Sequence, residues 1–205
     1  MSSFITLEGG EGCGKSYQAR ALYQRLLKES VPAVLTHEPG GTSLGDNITR
    51  WLKWRGDVPI SPAGELLLFS VSRNQLVDEI INPNLAERKV VVCDRFYDST
   101  IAYQGYGRGL DLDLIKEIID LSTGGLKPGL TILLDIPAAD GLARKSKARI
   151  DRFEQETIAF HEQVRNGYLQ LARNEPKRFV VIDALLTRTE IACIIWDRVK
   201  QFISR

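Results

Sequence analysis

Residues 9–16 read Gly9-Gly10-Glu11-Gly12-Cys13-Gly14-Lys15-Ser16, and this stretch decides the fold of the 205-residue chain. It fits the pattern G-x-x-x-x-G-K-[ST] and follows the apolar run Phe4-Ile5-Thr6-Leu7. In such a loop the backbone N–H groups surround phosphate oxygens, the lysine meets the β- and γ-phosphates, and the serine hydroxyl can sit on Mg²⁺. A turn that only joins a strand to a helix is the alternative, but it needs neither lysine nor serine. The stretch predicts binding of a nucleoside triphosphate.

Short β-rich runs alternate with longer stretches of helical period around that loop. Strands are predicted at Phe4 to Glu8, Ala33 to Thr36, Val90 to Cys93, Leu130 to Asp135 and Phe179 to Ile182. This alternation predicts an α/β fold with five parallel strands flanked by helices. Ligands of such sheets bind beyond the carboxyl ends of the strands, so we expect the segments that follow those ends to line one crevice.

Composition narrows the class of protein. With 43% apolar and 26% charged residues, the chain is expected to form one globular domain over residues 1–205. A net charge of +1 gives no reason to expect a nucleic-acid track or a membrane surface as partner. Three cysteines without a C-x-x-C pair and only two histidines argue against a zinc cluster or a disulfide framework. Because no leader or spanning segment is recognisable, a cytoplasmic location is expected.

A second candidate element is the end of the third predicted strand, where Asp94 and Arg95 follow four apolar or small residues. Asp94 could orient Mg²⁺ or its waters, and the guanidinium of Arg95 could bridge two phosphate groups. The alternative is an ion pair that closes the strand end. Asp135 ends the fourth predicted strand in the same way, so the metal carboxylate is not uniquely assigned; we favour Asp94 because Arg95 accompanies it.

Two further segments carry weaker signals. The turn around Glu38, Pro39, Gly40 and Gly41 could present a carboxylate and free amides to a ligand, or could simply turn the chain. Phe69 and Arg73 lie four apart on a predicted helix, so they could grip a planar base, although an aromatic residue at such a position is more often core. A stripe formed by Phe153, Thr157, Phe160, Val164, Tyr168 and Leu171 predicts a core-facing helix.

The segment at about residues 141–152 is rich in positive charge. Five cations, Arg144, Lys145, Lys147, Arg149 and Arg152, stand among residues 144–152 with Asp151 as their only opposing charge. We interpret the segment as a lid that closes over a triphosphate and excludes water, and expect it to be ordered by ligands. A solvated helical face or a nucleic-acid patch is the alternative.

Taken in order, these segments resemble bacterial thymidylate kinases. The resemblance is carried by residues 7–16, by Glu38-Pro39-Gly40-Gly41-Thr42, by Leu68-Phe69 through Arg73, by Asp94-Arg95-Phe96, by Ala102-Tyr103-Gln104-Gly105 and by Asp151-Arg152-Phe153. It covers nearly the whole chain and implies a P-loop NTPase-like fold, transfer of the ATP γ-phosphoryl group to dTMP, Mg²⁺ as cofactor and a homodimer.

The resemblance also implies residue roles. Residues 9–16 would bind ATP, Ser16 and Asp94 the metal, and Lys15, Arg95 and Asp94 would serve phosphoryl transfer. For dTMP it implies that Phe69 stacks on thymine, Arg73 bonds its exocyclic oxygen, Tyr103 walls the sugar and Glu11 faces the 3′-hydroxyl. Ser99 and Gln104 would contact the base or its phosphate side, beside Glu38 and Pro39. Because Gly12 has no side chain, the catalytic cation would come from the lid, from Arg144, Lys147 or Arg149.

The chain differs from the usual pattern of thymidylate kinases at some positions, and other functions share its phosphate loop. The chain has His37 where such kinases usually have arginine, and Thr49 followed by Arg50 where they often have arginine at the first position. The sequence therefore does not identify which cations would bind the phosphate of the acceptor nucleotide. Another nucleotide kinase, or a nucleotide-dependent switch protein, would share the phosphate loop, but the chain lacks the Asn-Lys-x-Asp segment of a GTPase.

Overall fold

A single parallel sheet organises the computed structural model, which describes residues 3–54, 58–145 and 151–204. Its strand order is β2-β3-β1-β4-β5. The strands are β1 Phe4–Glu8, β2 Ala33–His37, β3 Val90–Asp94, β4 Leu130–Asp135 and β5 Phe179–Asp183. The predicted α/β fold with five parallel strands is therefore confirmed, and β2, β3 and β5 each extend one residue beyond their predicted ends.

Helices cover both faces of this sheet. The α-helices among the described residues are α1 Lys15–Lys28, α2 Ser43–Trp54, α3 Pro62–Leu76, α4 Asn82–Ala86, α5 Tyr97–Thr100, α6 Leu112–Thr123, α7 Ala138–Ala143, α8 Ile158–Asn174 and α9 Arg188–Ile203. Segments Val77–Ile81 and Ile101–Gly107 are π-helical continuations of α3 and α5. Within the described ranges, none of these helices combines the length and the apolarity that crossing a membrane requires.

Strand residues alternate between two cores because successive side chains of a strand point to opposite faces. Ile5 and Leu7 of β1 pack in the cluster that includes residues of α1 and α9, whereas Phe4 packs with residues of α3 and α6. Both faces are buried, which is why these strands are nearly continuous apolar runs. The sheet is thereby held rigid behind its carboxyl edge.

That edge positions the candidate site. β1 lies between β3 and β4, and Leu7 pairs with Asp94 of β3 and with Ile132 of β4. The chain leaves β1 into the phosphate loop and leaves β3 at Arg95, so both segments begin at the same edge, where the strand order reverses.

One predicted helix begins later than its apolar stripe suggests. The Thr157 hydroxyl accepts a hydrogen bond from the Phe160 N–H at 3.2 Å, which makes Thr157 the N-cap, and α8 starts at Ile158. Phe160, Val164 and Leu171 are core residues as predicted. Phe153, however, lies before the helix, so its assignment to the helical stripe is wrong.

Candidate active site

The phosphate loop holds its own lysine through carbonyl groups of the loop. Lys15 opens α1, and its ammonium donates to the carbonyls of Gly9 at 3.0 Å and Gly10 at 2.6 Å. It also lies 3.3 Å from the sulfur of Cys13. Because the side chain is buried and these partners are neutral, the ammonium can exchange them for phosphate oxygens without breaking an ion pair.

Gly12 brings the loop into backbone contact with the start of the lid. Its φ of 67° is in the left-handed region, and a Cβ atom there would overlap the carbonyl oxygen of Gly141 in α7. A Cβ atom on Gly141 would likewise overlap the carbonyl oxygen of Glu11. Neither position accepts a side chain without backbone movement, so the loop itself cannot supply a basic group at position 12.

The choice between the two strand-end carboxylates has a structural answer. The hydroxyl of Ser16 donates a short hydrogen bond to Asp94, which places a hydroxyl and a carboxylate together beside the phosphate loop. Asp135 instead accepts two hydrogen bonds from Arg165, from Nε at 2.8 Å and from Nη2 at 2.9 Å. Asp94 therefore has the better-placed oxygens for a metal among the two.

Arg95 lies at the centre of the site. Its φ of 71° is unusual for a residue with a side chain. Its Nη2 donates to Glu11 at 2.8 Å and to the Tyr103 hydroxyl at 3.2 Å, while Nη1 donates to the Gly9 carbonyl at 3.0 Å. The guanidinium thus connects the phosphate loop to the helix that carries Tyr103.

A buried network stands behind Arg95. The hydroxyls of Ser99 and Tyr168 accept hydrogen bonds from Nη1 of Arg95 and donate to Glu8, at 2.7 and 3.0 Å respectively. Glu8 also accepts the Phe96 N–H at 2.7 Å, which fixes the peptide that follows the strained Arg95. Burial raises the pKa of Glu8 to about 7, and the charge of Asp98 acts in the same direction against Arg95.

Glu11 is held ionised by its surroundings. Burial alone would raise the pKa of its carboxyl, but the charges of Arg95 and Lys15 and the hydrogen bond from Tyr103 hold that pKa well below its usual range. Tyr103 donates to Glu11 at 2.7 Å. Glu11 is therefore a charged hydrogen-bond acceptor. The site contains two cavities, and Glu11 lines both of them.

The first of these cavities is lined mostly by buried residues and is called the enclosed cavity; it contains every residue for which a thymidine contact is implied. It is lined by Glu11, Glu38, Pro39, Lys53, Phe69, Arg73, Arg95, Ser99, Thr100, Tyr103, Gln104, Asp151 and Phe153. The ring of Phe69 is half-buried, with its centroid 5.8 Å from that of Phe153. Phe153 thus lines the cavity beside Phe69, which the core interpretation of Phe153 did not foresee.

Arg73 is fixed at the floor of this cavity. Its Nε and Nη2 lie 3.0 and 2.9 Å from Oε2 of Glu38, and Nη2 also donates to Thr100 at 2.6 Å. Within the described residues, Nη1 of Arg73 and Oε1 of Glu38 are buried without a hydrogen-bond partner. Burial raises the pKa of Glu38 to about 7 against the influence of Arg73. A buried donor without a partner, on a residue that lines this cavity, is suited to a carbonyl oxygen of a ligand.

The turn after β2 is fixed within the protein. The N–H of Gly40 donates to the hydroxyl of Ser72 at 3.1 Å, and that of Gly41 donates to Asp46 at 3.0 Å. Of the two alternatives that the sequence left open, these hydrogen bonds favour the one in which the amides of Gly40 and Gly41 hold the turn, because local side chains already bind them. Gln104 is also engaged, since its Nε2 donates to Glu65 at 2.8 Å.

The second cavity, the open cavity, has a volume of about 680 Å³ and contains the phosphate-binding groups. Lys15, Ser16, Asp94 and Arg95 line it, together with Lys145 at the start of the lid. Lys145 contacts Glu154 at 2.5 Å and lies 3.8 Å from Glu11. These contacts raise the pKa of Lys145 although its partial burial opposes them, so the group stays charged.

Arg144 lines neither of the two cavities. Its Nη1 donates to the carbonyl of Ala184 at 2.8 Å, and the residue does not line the open cavity. The resemblance implied Arg144, Lys147 or Arg149 as the catalytic cation of the lid, whereas the structure brings Lys145, another of the five lid cations, to the open cavity. Lys147 and Arg149 lie outside the described residues, as does much of the predicted lid.

Sequence reasoning missed three residues that line or support the site: Glu8, Lys53 and Tyr168. Tyr168 was assigned to the core, and its ring is indeed buried there, but its hydroxyl reaches Arg95. A buried tyrosine usually needs a partner for its hydroxyl, and this was the available signal. Glu8 ends a buried strand, where an unpaired carboxylate is costly and therefore calls for donors nearby.

The sequence and the fold of the chain are similar to those of known proteins. Residues 7–192 match the family model for thymidylate kinase. A thymidylate kinase of Dehalococcoides mccartyi is 53% identical over 204 residues, covering 100% of this chain and 96% of that protein. One of a Synechococcus species is 52% identical over 197 residues, covering 96% and 94%. The crystal structure of thymidylate kinase from Ehrlichia chaffeensis superposes with a TM-score of 0.79 at 33% identity, covering 98% of each chain. By these matches, the chain belongs to the thymidylate kinase family.

Proposed function

We propose that the enclosed cavity binds the thymidine part of dTMP and that the open cavity binds the phosphates of ATP. As a member of its family, the chain phosphorylates dTMP to dTDP, a step of dTTP synthesis. One observation carries the division of the two substrates: Arg95 lines both cavities and contacts the phosphate loop. A guanidinium at that junction can hold an acceptor and a donor phosphate together.

The enclosed cavity has the shape and donors for a thymine base. Phe69 would stack on its plane, and Nη1 of Arg73, which has no partner among the described residues, would donate to an exocyclic carbonyl. Tyr103 would pack against the sugar and leave no room for a 2′-hydroxyl, and ionised Glu11 would accept from the 3′-hydroxyl. Ser99 lies behind Arg95, so we assign it to holding that guanidinium.

Phosphoryl transfer then depends on positioning and charge. An oxygen of the dTMP phosphate attacks the γ-phosphorus as the bond to the β–γ bridging oxygen breaks, and ADP leaves. Lys15 would move from the Gly9 and Gly10 carbonyls to the β- and γ-phosphates. Lys145 is the described lid cation nearest to this chemistry, and Arg144, Lys147 and Arg149 remain proposed contributors from the rest of the lid.

A divalent metal fits the phosphate side of the site. Kinases of this type use ATP with such a metal, and we propose Mg²⁺, held by the Ser16 hydroxyl and the Asp94 carboxylate. These oxygens already lie together, and Mg²⁺ prefers a hard oxygen set completed by water and phosphate. When bound, it would neutralise charge on the phosphate oxygens.

We further propose a homodimer that works in the cytoplasm. Leu67 and Val71 form an exposed stripe on α3, and Leu114 and Leu121 form another on α6, which packs against α3. Exposed apolar stripes of this size suit burial against a second copy of the chain. The three cysteines are free thiols, as is usual for proteins of a reducing compartment.

Acceptor-dependent formation of ADP tests the activity. We expect a coupled assay with ATP and Mg²⁺ to show ADP only when an acceptor nucleotide is added, with the most from dTMP, less from dUMP and least from ribothymidine monophosphate. Equal ADP formation with and without acceptor would instead indicate a nucleotide-dependent switch. Equal turnover of dTMP and its ribonucleotide analogue would contradict the role of Tyr103.

A further inference from the structure

Five charged residues line both cavities and so mark their junction. They are the cations Lys53 and Arg95 and the carboxylates Glu11, Glu38 and Asp151. If the base lies in the enclosed cavity and the γ-phosphate at the phosphate loop, the acceptor phosphate has to lie at this junction, because transfer requires the reacting atoms to be about 3 Å apart. Among the described residues, the junction therefore offers that phosphate two cations.

Lys53 is the second of these cations, and none of the roles proposed above involves it. It lies in the last turn of α2, and its ammonium is 3.6 Å from Oδ2 of Asp151, with the side chain about one-third exposed. The other oxygen of Asp151 accepts the N–H groups of Phe153 and Glu154, both at 3.0 Å. Asp151 is thus fixed by the backbone and holds Lys53 through a long ion pair that a phosphate oxygen can replace.

The neighbouring residues of α2 do not compete for this position. Thr49, one turn earlier, lines the open cavity but carries no charge. Arg50 is exposed, donates to Asn47 at 3.3 Å and lines neither cavity. Among the described cations of α2, Lys53 is therefore the one whose side chain lines the junction.

We propose that Lys53 binds the phosphate of dTMP together with Arg95, and that Asp151 is the positioning residue that holds Lys53 before the nucleotide arrives. The proposal rests on the assignment of dTMP to the enclosed cavity. It also connects acceptor binding to the end of the predicted lid, because the N–H of Arg152 donates to the Lys53 carbonyl at 3.2 Å.

Binding of dTMP and of thymidine to the full-length protein separates a phosphate contact from a structural effect. For Lys53→Gln we expect the Kd of dTMP to rise roughly tenfold, as for loss of one charge-assisted contact, and the Kd of thymidine to stay unchanged. Lys53→Arg should retain most of the affinity for dTMP. Arg50→Gln is the matched control on the same helix and should change neither Kd.

The titration of the bound phosphate gives a second readout. The second pKa of the dTMP phosphate is about 6 when the nucleotide is free. Measured by ³¹P NMR, this pKa should be lower in the complex of dTMP with the wild type than in its complex with Lys53→Gln. Equal pKa values in the two complexes, or an equal rise in the Kd of dTMP and thymidine, would overturn the proposal. If Lys53→Gln is unstable, Lys53→Met, which keeps the aliphatic stem, undergoes the same measurements. Failure of the wild type to bind dTMP and thymidine would instead contradict the assignment of the cavity.

Discussion

The enclosed and open cavities differ in what holds their charged groups. In the enclosed cavity Arg73 is paired with buried Glu38, and neither group has to leave its partner when a base enters. In the open cavity Lys15 is held by two carbonyls, Arg95 by Glu11 and Lys145 by Glu154 and Glu11. A substrate phosphate can replace those partners. If the substrates bind as proposed, recognition would use contacts that are already formed, whereas catalysis would use contacts that rearrange on binding.

The strongest test of this contrast removes the buried ion pair. We expect Arg73→Met to lower the free energy of unfolding by about 3 kcal/mol, because Glu38 is left buried without its cation. Urea denaturation measures this loss. Adding Glu38→Gln to the same chain should recover part of it. An unchanged unfolding midpoint in Arg73→Met would mean that the pair is not a preformed structural element.

The opposite behaviour is expected for the open cavity. Lys15→Ala should lower kcat at least ~10²-fold with little change in the free energy of unfolding, because the ammonium stabilises charge on the transferred phosphoryl group and not the core. Arg95→Ala should lower kcat similarly, but it should also lower the free energy of unfolding, because it leaves the largely buried Glu11 without this ion-pair partner. Lys28→Ala, at the exposed end of the same helix as Lys15, is the control. Near-normal turnover of folded Arg95→Ala protein would remove its proposed role at the junction.

Loss of the stacking ring should affect binding more than turnover. We expect Phe69→Ala to weaken dTMP binding by about 1–3 kcal/mol, the value typical of a base stacked on an aromatic side chain. The KM for ATP should stay unchanged, which serves as the internal control. Calorimetric titration with dTMP gives the affinity. A selective effect on ATP would show that the two cavities are assigned the wrong way round.

The smallest effect is expected for the network behind Arg95. Tyr168→Phe removes one neutral hydrogen-bond partner of the guanidinium and keeps the packed ring, so kcat should fall by the equivalent of about 0.5–1.5 kcal/mol. Steady-state kinetics at saturating substrates measure the change. A fall as large as that of Arg95→Ala would make the Tyr168 hydroxyl a direct participant.

Local patterns predicted the sheet and the phosphate loop well because they depend on neighbouring residues. The strand periods and the G-x-x-x-x-G-K-S spacing are complete within short windows. The site residues that were missed depend on distant partners: Tyr168 meets Glu8 across 160 positions, and no window contains both. The stripe that wrongly included Phe153 kept its period across the Thr157 cap, since periodicity alone does not show where a helix begins.

The same limit applied to the cations. Within a run of basic residues, composition cannot tell which side chain reaches a given cavity, and Arg144 and Lys145 point to different partners although they are adjacent. Lys53 gave no signal at all, because a lone lysine in the last turn of a helix is common for electrostatic reasons unrelated to ligands.

The contact between Gly12 and Gly141 limits how this enzyme can be re-engineered. A designer who wished to place an arginine at position 12, so that the phosphate loop carried its own cation, would force the backbone of α7 away from Glu11. If the segment beyond Gly141 closes over ATP as expected, this contact would be the point from which it moves, and the length of that segment could change while the contact with the loop is kept. Transplanting a lid from another kinase should therefore succeed only if the donor segment is joined after residue 141 and both glycines are kept.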